Sequence, residues 1–134
     1  MILNKEFKTS SLEELNIVAD YVLENLTKSK VILLNGELGA GKTALIKKIA
    51  FKLGIKETIT SPTFGYMKQY NGLIHMDAYN LSGSIEEFED YKEDNDILAI
   101  EWSNNVDIFY NNYVYIEALI DIYENHIFKV KVVK

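Results

Sequence analysis

The chain carries the octapeptide Gly36-Glu37-Leu38-Gly39-Ala40-Gly41-Lys42-Thr43, which matches the pattern G-x-x-x-x-G-K-[S/T] at every defined position. Glycines at these places let backbone N–H groups curl around phosphate oxygens with no Cβ in the way. The lysine of such a loop reaches the β- and γ-phosphates, and the hydroxyl of its last residue ligates Mg²⁺. The octapeptide therefore predicts a P-loop in which residues 36–43 bind a nucleotide.

The residues on either side of the octapeptide have the pattern that a P-loop requires. The run Val31-Ile32-Leu33-Leu34 is wholly apolar, which is typical of a strand buried on both faces. Gly54 is a candidate C-cap for a following helix, whose apolar residues recur at helical spacing: Ala44, Leu45, Ile49, Ala50 and Leu53. Because that helix starts at the loop, its N-terminal partial charge faces the same anion.

Hydrophobic periodicity and turn signals predict the remaining elements. Ser10 and Ser11 stand at capping-box spacing from Glu13 and Glu14, and Asn71-Gly72 is a strong hairpin signal. The predicted elements are a helix over 11–27, hairpin strands over 64–70 and 73–77, a short acidic helix from Ser84 through residue 91, and strands over 97–100, 113–120 and 126–133. The pattern predicts an α/β fold, organised as one domain over residues 1–134.

The composition is that of a folded chain, but it contains no arginine. Of the 134 residues, 48% are hydrophobic and 25% are charged, which are globular values, and there is no cysteine for disulfide or thiolate chemistry. The sequence shows no apolar run of signal-peptide or membrane-spanning length, so we expect a soluble, cytoplasmic protein without membrane contact. All 14 basic residues are lysine and the formal net charge is −6, so the chain is not expected to grip nucleic acid unaided.

Two carboxylates at strand ends are candidates for holding Mg²⁺. Glu101 follows the strand over 97–100, and Asp77 ends the strand over 73–77. A P-loop enzyme needs such an acidic residue on a neighbouring strand, bound to the ion directly or through water. Thr63 lies in the long polar loop after the P-loop helix, where a switch threonine that senses the γ-phosphate would stand. The residues alone leave both carboxylates open as ligands.

Missing motifs narrow the choice of reaction. The guanine-reading pattern N-K-x-D is absent, which favours ATP over GTP. Kinases of small metabolites usually clamp phosphates with arginines, and this chain has none, so such a kinase is the disfavoured alternative. An arginine finger is worth about 10³–10⁵ in kcat, so a slow intrinsic ATPase is expected. A nucleotide-gated binding module, in which hydrolysis is incidental, remains a second alternative.

Four segments taken together resemble the TsaE family, also called YjeE, which comprises small bacterial ATPases required for threonylcarbamoyladenosine in tRNA. They are the octapeptide, Ser61-Pro62-Thr63-Phe64, His75-x-Asp77-x-Tyr79-x-Leu81 and Ile100-Glu101-Trp102, in this order. The resemblance implies a single P-loop NTPase domain with a mixed parallel and antiparallel sheet flanked by helices. It also implies an accessory ATPase that acts on the TsaB–TsaD complex between turnovers. Together with the net charge of −6, this role predicts that tRNA is contacted only indirectly.

The family pattern also implies a role for each matching residue. Phosphate binding falls on residues 36–42, and Mg²⁺ binding on Thr43 with Glu101. Asp77 matches an acidic residue needed for hydrolysis, so the implied catalytic residues are Lys42, Asp77 and Glu101. Thr63 and Trp102 fall in two switch-like segments. The chain departs from the family's usual Asp-Leu-Tyr-Arg-Leu, because Ala78 and Asn80 stand where leucine and arginine are usual. We further expect residues 9–11 to form a wall of the adenine pocket.

Overall fold

The computed structural model describes residues 1–60, 62 and 66–134. Its elements in chain order are β1 (Ile2–Thr9), α1 (Leu15–Glu24), β2 (Val31–Asn35), α2 (Lys42–Lys52), β3 (Met67–Tyr70), β4 (Leu73–Asp77), α3 (Glu86–Glu89), β5 (Ile97–Glu101), a 3₁₀ turn (Ser103–Asn105), β6 (Tyr113–Ile120) and β7 (His126–Val133). Among the described residues, no helix has both the length and the apolar character needed to cross a membrane.

Four parallel strands form the centre of a seven-stranded sheet. The strand order is β1-β7-β6-β2-β5-β4-β3. β2 pairs in parallel with β5 and β6, and β4 pairs in parallel with β5. β3, β7 and β1 extend the sheet by antiparallel pairing on its two sides. The predicted α/β fold with a mixed parallel and antiparallel sheet flanked by helices is therefore confirmed.

Each face of the sheet packs against a different part of the chain. On one face, α1 and α2 cover a core that includes Leu34 and the fully buried Leu45. On the other face, residues from α3 and from the segment after β5 pack over Leu33, Met76 and Ile100. Burial of each such side chain stabilises the fold by about 1.5–3 kcal/mol. The unbroken apolar run of β2 is thus explained, because successive side chains point into two separate cores.

The hairpin and the α1 region confirm the predicted elements with shifted bounds. Residues on both sides of Asn71-Gly72 pair as predicted, with Tyr70 opposite Leu73. β3 begins at Met67, so residue 66 of the predicted strand is not part of it, and residues 64 and 65 lie outside the described residues. α1 begins at Leu15 rather than at residue 11, because residues 12–14 form turns closed by hydrogen bonds such as Leu15 N–H to Leu12 O at 3.2 Å. It also ends at Glu24 rather than at residue 27. α3 is likewise shorter than predicted and ends at Glu89.

The sequence analysis did not predict β1. This strand lies at the edge of the sheet, and on its core side only Leu3 and Phe7 pack against the hydrophobic cluster. Its alternation is diluted by polar residues, so it has little local β signal. It pairs with β7 along its full length, from Ile2 opposite Val133 onward. That pairing, rather than local propensity, makes these residues a strand.

The carboxyl ends of the parallel strands place the polar residues together. Asn35 ends β2, Asp77 ends β4 and Glu101 ends β5, and Asp77 lies directly opposite Glu101 in the register. The octapeptide leaves β2 at this same edge. In open α/β sheets, ligands bind outside the carboxyl ends of the strands. The fold therefore positions a candidate site at this edge.

A substitution at Gly36 tests how closely the loop packs against the sheet. It follows β2 with φ of +142°, and a Cβ placed on it would lie 2.3 Å from the carbonyl oxygen of Ala118 in β6. We expect Gly36→Ala to lower the free energy of unfolding in urea by about 1–3 kcal/mol through overpacking. Gly83→Ala is the control, because Gly83 also has positive φ, and no described atom outside Gly83 and its two chain neighbours lies within 4 Å of the added carbon. Equal losses in both variants would contradict close packing as the cause.

Candidate functional site

The octapeptide forms the turn between β2 and the start of α2. Gly41 precedes the first residue of α2 with φ of +109°. A Cβ at this position would lie 3.0 Å from the ring of Phe128 and 3.4 Å from Nδ1 of His126, so the loop rests closely on β7. The loop is thus held against the sheet while the N-terminus of α2 faces the cavity above it.

Lys42, the first residue of α2, is only 4% exposed. Its ammonium donates hydrogen bonds to the carbonyl oxygens of Gly36 and Glu37, the latter at 3.0 Å. The same ammonium lies 4.3 Å from the centre of the Trp102 ring. A phosphate bound in the loop would compete with the two carbonyls for this cation, because a charge-assisted hydrogen bond is stronger than one to a neutral carbonyl.

The electrostatic balance at Lys42 has opposing causes. Burial lowers the pKa of Lys42 below its ordinary value, because a charged ammonium loses water contacts. The negative charges of Glu101 and Asp77 act in the opposite direction and favour the charged form. These two carboxylates therefore help to keep a cation at the point where phosphate would bind.

Glu101 is buried and accepts hydrogen bonds from two other elements. The Thr43 hydroxyl lies 3.0 Å from each carboxylate oxygen, and His75 Nε2 lies 2.6 Å from Oε2. A hydroxyl and a carboxylate are oxygen donors of the kind that Mg²⁺ prefers, with water and substrate phosphate completing its coordination. Within the described part of the chain, no group of three or more His, Asp or Glu side chains could hold a metal ion. Thr43 and Glu101 thus fit Mg²⁺ only together with water or phosphate oxygens.

Asp77 lies beside Glu101 at the end of the adjacent strand. Its side chain lines the same cavity as Lys42 and Thr43. One carboxylate oxygen, Oδ1, accepts the backbone N–H of Tyr79 at 3.0 Å, which restrains the rotation of the carboxylate. Asp77 is only partly buried, so its carboxylate remains in contact with solvent. It is therefore placed to contact a water molecule above the loop.

Two of the cavities that adjoin the loop share one boundary. The first, of about 360 Å³, is lined by Leu38, Gly39, Gly41, Lys42, Thr43, Ala44, Asp77, Glu101, Trp102 and His126. The second, of about 210 Å³, is lined by Thr9, Ser10, Ser11, Leu12, Leu15, Gly41, Ala44, Glu124, His126 and Phe128. Gly41, Ala44 and His126 line both. The structure therefore places residues 9–11 at a cavity next to the loop.

Sequence reasoning did not identify His126 as part of the site. Its Nδ1 lies 2.9 Å from the carbonyl oxygen of Ala40, and because a carbonyl only accepts, Nδ1 carries the proton. The ring thereby ties the first residue of β7 to the P-loop. No local motif marks this residue, since its partner is 86 positions away in the chain.

The segment after Glu101 is held by Asn35, a second residue that the sequence analysis missed. The Asn35 amide donates to the Ser103 hydroxyl at 2.8 Å, and its oxygen accepts the N–H of Asn104 at 3.0 Å. Trp102 has a left-handed backbone, with φ of +59°, and its ring makes an edge contact with Tyr79 at 5.0 Å between centroids. Asn35 and the 3₁₀ turn therefore fix Trp102 over Lys42.

The sequence-predicted residues converge, apart from one that lies outside the described part of the chain. Residues 36–43, Asp77 and Glu101 meet at one edge of the sheet, and most of them line the first cavity. Thr63 lies outside the described residues, so its predicted placement stays a prediction. His75, which the sequence analysis named only as part of the family-like segment His75-x-Asp77-x-Tyr79-x-Leu81, contacts Glu101 directly.

A strand, a G-x-x-x-x-G-K-T loop and a helix at the carboxyl edge of a parallel-centred sheet define the P-loop class of α/β folds. A family model described as "Threonylcarbamoyl adenosine biosynthesis protein TsaE" matches residues 9–127. The chain belongs to the TsaE family, as the four sequence segments predicted. It is thus a member of a family named for threonylcarbamoyladenosine biosynthesis.

Individual relatives and one solved structure agree with this assignment. The chain is 42% identical over 89 residues to the tRNA threonylcarbamoyladenosine biosynthesis protein TsaE of Treponema pallidum, covering 60% of this chain and 65% of that one. It is 37% identical over 87 residues to the protein of the same name from Streptomyces coelicolor, covering 58% and 59%. These alignments span less than two thirds of either relative. The crystal structure of Bacillus subtilis YdiB has the same fold, with a TM-score of 0.77 at 23% identity over 100% of this chain and 88% of that chain.

A substitution at Asn35 tests whether the segment after Glu101 depends on the side-chain amide of Asn35. Asn35→Ala leaves the buried Ser103 hydroxyl and the Asn104 N–H without their partner, so we expect a loss of about 1–3 kcal/mol in the free energy of unfolding. Urea unfolding followed by Trp102 emission measures it. Asn104→Ala is the matched control, because only its backbone N–H takes part in the contact. A loss of similar size in the control would contradict the role of the Asn35 side chain.

Proposed function

We propose that this protein is an Mg²⁺-dependent ATPase that supports formation of threonylcarbamoyladenosine in tRNA by acting on the TsaB–TsaD complex between turnovers. The observation that carries the proposal is the contact of the Thr43 hydroxyl with the Glu101 carboxylate, 3.0 Å away, beside the buried ammonium of Lys42. This is a donor set suited to Mg²⁺ and phosphate at a P-loop. Membership of the TsaE family supports the link to tRNA modification.

The two adjoining cavities fit the two ends of ATP. The phosphates would lie in the cavity of about 360 Å³, where backbone N–H groups of the loop and the start of α2 face them. The base would lie in the cavity of about 210 Å³, with residues 9–11 as one wall. Gly41, Ala44 and His126 line both cavities, so the ribose would cross this shared boundary.

Each side chain around the phosphates would have a different role in hydrolysis. Thr43 and Glu101 would hold Mg²⁺, which supplies charge neutralisation at the phosphate oxygens. Lys42 would leave the carbonyl oxygens of Gly36 and Glu37 to bind the β- and γ-phosphates. Asp77 would orient the attacking water and accept its proton, since its carboxylate remains in contact with solvent at the same cavity.

The chain has too few cations near the phosphates for fast turnover by itself. No arginine occurs in the sequence, and Lys42 is the one lysine among the residues described as lining the phosphate cavity. Cationic help beyond Lys42 and Mg²⁺ would then come from another lysine or from a partner chain, and we expect the TsaB–TsaD complex to stimulate hydrolysis. An enzyme with this role in bacterial tRNA modification would act in the cytoplasm.

The charge distribution favours indirect contact with tRNA. Residues 86–96 contain seven carboxylates and one lysine, which accounts for the whole net charge of −6. The other residues are balanced in charge, and a balanced surface does not attract a phosphate backbone strongly. In the proposed role, the partner proteins hold the tRNA.

Phosphate release measured with and without the TsaB–TsaD complex tests the proposal. We expect slow release from the protein alone, faster release with the complex, and loss of both when Mg²⁺ is chelated. Lys42→Ala should abolish nucleotide retention, because no other side chain described at the cavity supplies an ammonium to the phosphates. Turnover that is the same with and without the complex would contradict the proposed role.

Asp77→Asn separates hydrolysis from nucleotide binding. Asparagine keeps an oxygen that can accept the Tyr79 N–H but cannot accept a proton from water, so we expect hydrolysis to fall by about 10²–10⁴-fold with nucleotide binding retained. Reconstituted tRNA modification, at limiting enzyme so that repeated turnover is needed, should fall with it. Full support of modification by this variant would instead favour a nucleotide-gated binding module.

A further inference from the structure

His75 is a fully buried polar residue in the middle of β4, and it has no role in the proposed hydrolysis of ATP. Its side chain has no exposed surface and points to the same face of the sheet as Asp77. Its Nε2 lies 2.6 Å from Oε2 of Glu101 on the neighbouring strand. A buried polar side chain costs stability unless its hydrogen bonds are made, so the contact with Glu101 offsets part of the cost of burying this ring.

The hydrogen-bond partners of the His75 ring determine which of its two nitrogens carries the proton. A carboxylate only accepts, so Nε2 must carry a proton to donate to Glu101. Nδ1 has no hydrogen-bond partner among the described residues. A neutral ring protonated at Nε2 leaves only a lone pair without a partner, whereas a proton on Nδ1 would leave a buried donor unpaired. The ring is therefore a directional donor to one oxygen of Glu101.

The His75 contact distinguishes the two oxygens of Glu101, and the Thr43 contact does not. The Thr43 hydroxyl lies 3.0 Å from both Oε1 and Oε2. His75 bonds to Oε2 alone, so it sets the rotation of the carboxylate and leaves Oε1 without a second donor among the described residues. Partners of this kind behind a metal ligand orient it and raise its affinity for the ion.

We infer that His75 is a positioning residue that orients the Glu101 carboxylate toward Mg²⁺. The inference rests on the proposed Mg²⁺-dependent ATPase function and adds to it a residue that touches neither nucleotide nor ion. It acts only through Glu101. Its contribution is therefore to Mg²⁺ affinity and not to the binding of nucleotide in the absence of Mg²⁺.

Two substitutions at residue 75 separate orientation of Glu101 from burial. In His75→Gln, the amide nitrogen lies near the position of Nε2 and can still donate to Glu101. In His75→Asn, the shorter side chain places its amide near the position of Nδ1, out of reach of Oε2. Met76→Leu is the packing control, because Met76 is fully buried on the opposite face of the same strand and the swap nearly conserves volume.

Trp102 provides a readout that does not depend on hydrolysis. It is the only tryptophan of the chain and lies 4.3 Å from the Lys42 ammonium, so its emission should change when nucleotide draws the lysine away. Mg²⁺ is titrated at a fixed concentration of an ATP analogue that cannot be hydrolysed. In this titration we expect His75→Asn to raise the half-saturating Mg²⁺ concentration by roughly 10- to 100-fold. His75→Gln should restore it to within a few-fold of the wild type, and Met76→Leu should leave it unchanged.

Nuclear magnetic resonance of the two histidine rings checks the geometry in the wild-type protein. His75 should carry its proton on Nε2, whereas His126 should carry its proton on Nδ1, because that nitrogen donates to Ala40. This measurement holds even if His75→Asn does not fold.

The outcomes distinguish failure of the inference from failure of the proposed function. Equal Mg²⁺ dependence in the wild type and folded His75→Asn, or a His75 ring without a proton on Nε2, would overturn the inference. A wild-type protein whose Trp102 response does not depend on Mg²⁺, with a Glu101→Gln variant that behaves identically, would contradict the proposed function itself.

Discussion

The buried carboxylate of Glu101 is the charge on which this edge of the sheet depends. A carboxylate removed from water is costly unless donors or opposite charge compensate for it. Thr43 from α2 and His75 from β4 supply donors at 3.0 and 2.6 Å, and the Lys42 ammonium adds favourable charge. Since these partners come from separate elements, Glu101 is satisfied only when β4, β5 and α2 are all in place. Formation of the site is therefore coupled to folding of the sheet.

Two histidines donate hydrogen bonds to different parts of this site. His75 lies behind Glu101 and donates from Nε2, while His126 lies beside the P-loop and donates from Nδ1 to Ala40. One ring orients a carboxylate and the other holds a loop carbonyl. The chain thus uses both of its histidines as hydrogen-bond donors at the carboxyl edge of the sheet. Among the described residues that line the cavity of about 360 Å³ there, Lys42 is the one lysine.

Most of the fold could be predicted because its central elements have strong local patterns. The apolar run of β2, the Asn71-Gly72 turn and the alternation in β6 and β7 each identify an element from neighbouring residues. β1 could not be predicted, since its polar residues mask a weak alternation and its pairing partner is at the other end of the chain. The early start predicted for α1 was wrong because residues 12–14 form turns instead of continuing the helix.

By itself, the sequence determined the P-loop, the two strand-end carboxylates and the family, because each depends on residue types at short fixed spacing. Only the tertiary structure decided which side chains meet. His75 reaches Glu101 across 26 positions, Asn35 reaches Ser103 across 68, and His126 reaches Ala40 across 86. Such contacts depend on the order and register of the strands. Register comes from packing of the whole sheet, which no local stretch of residues encodes.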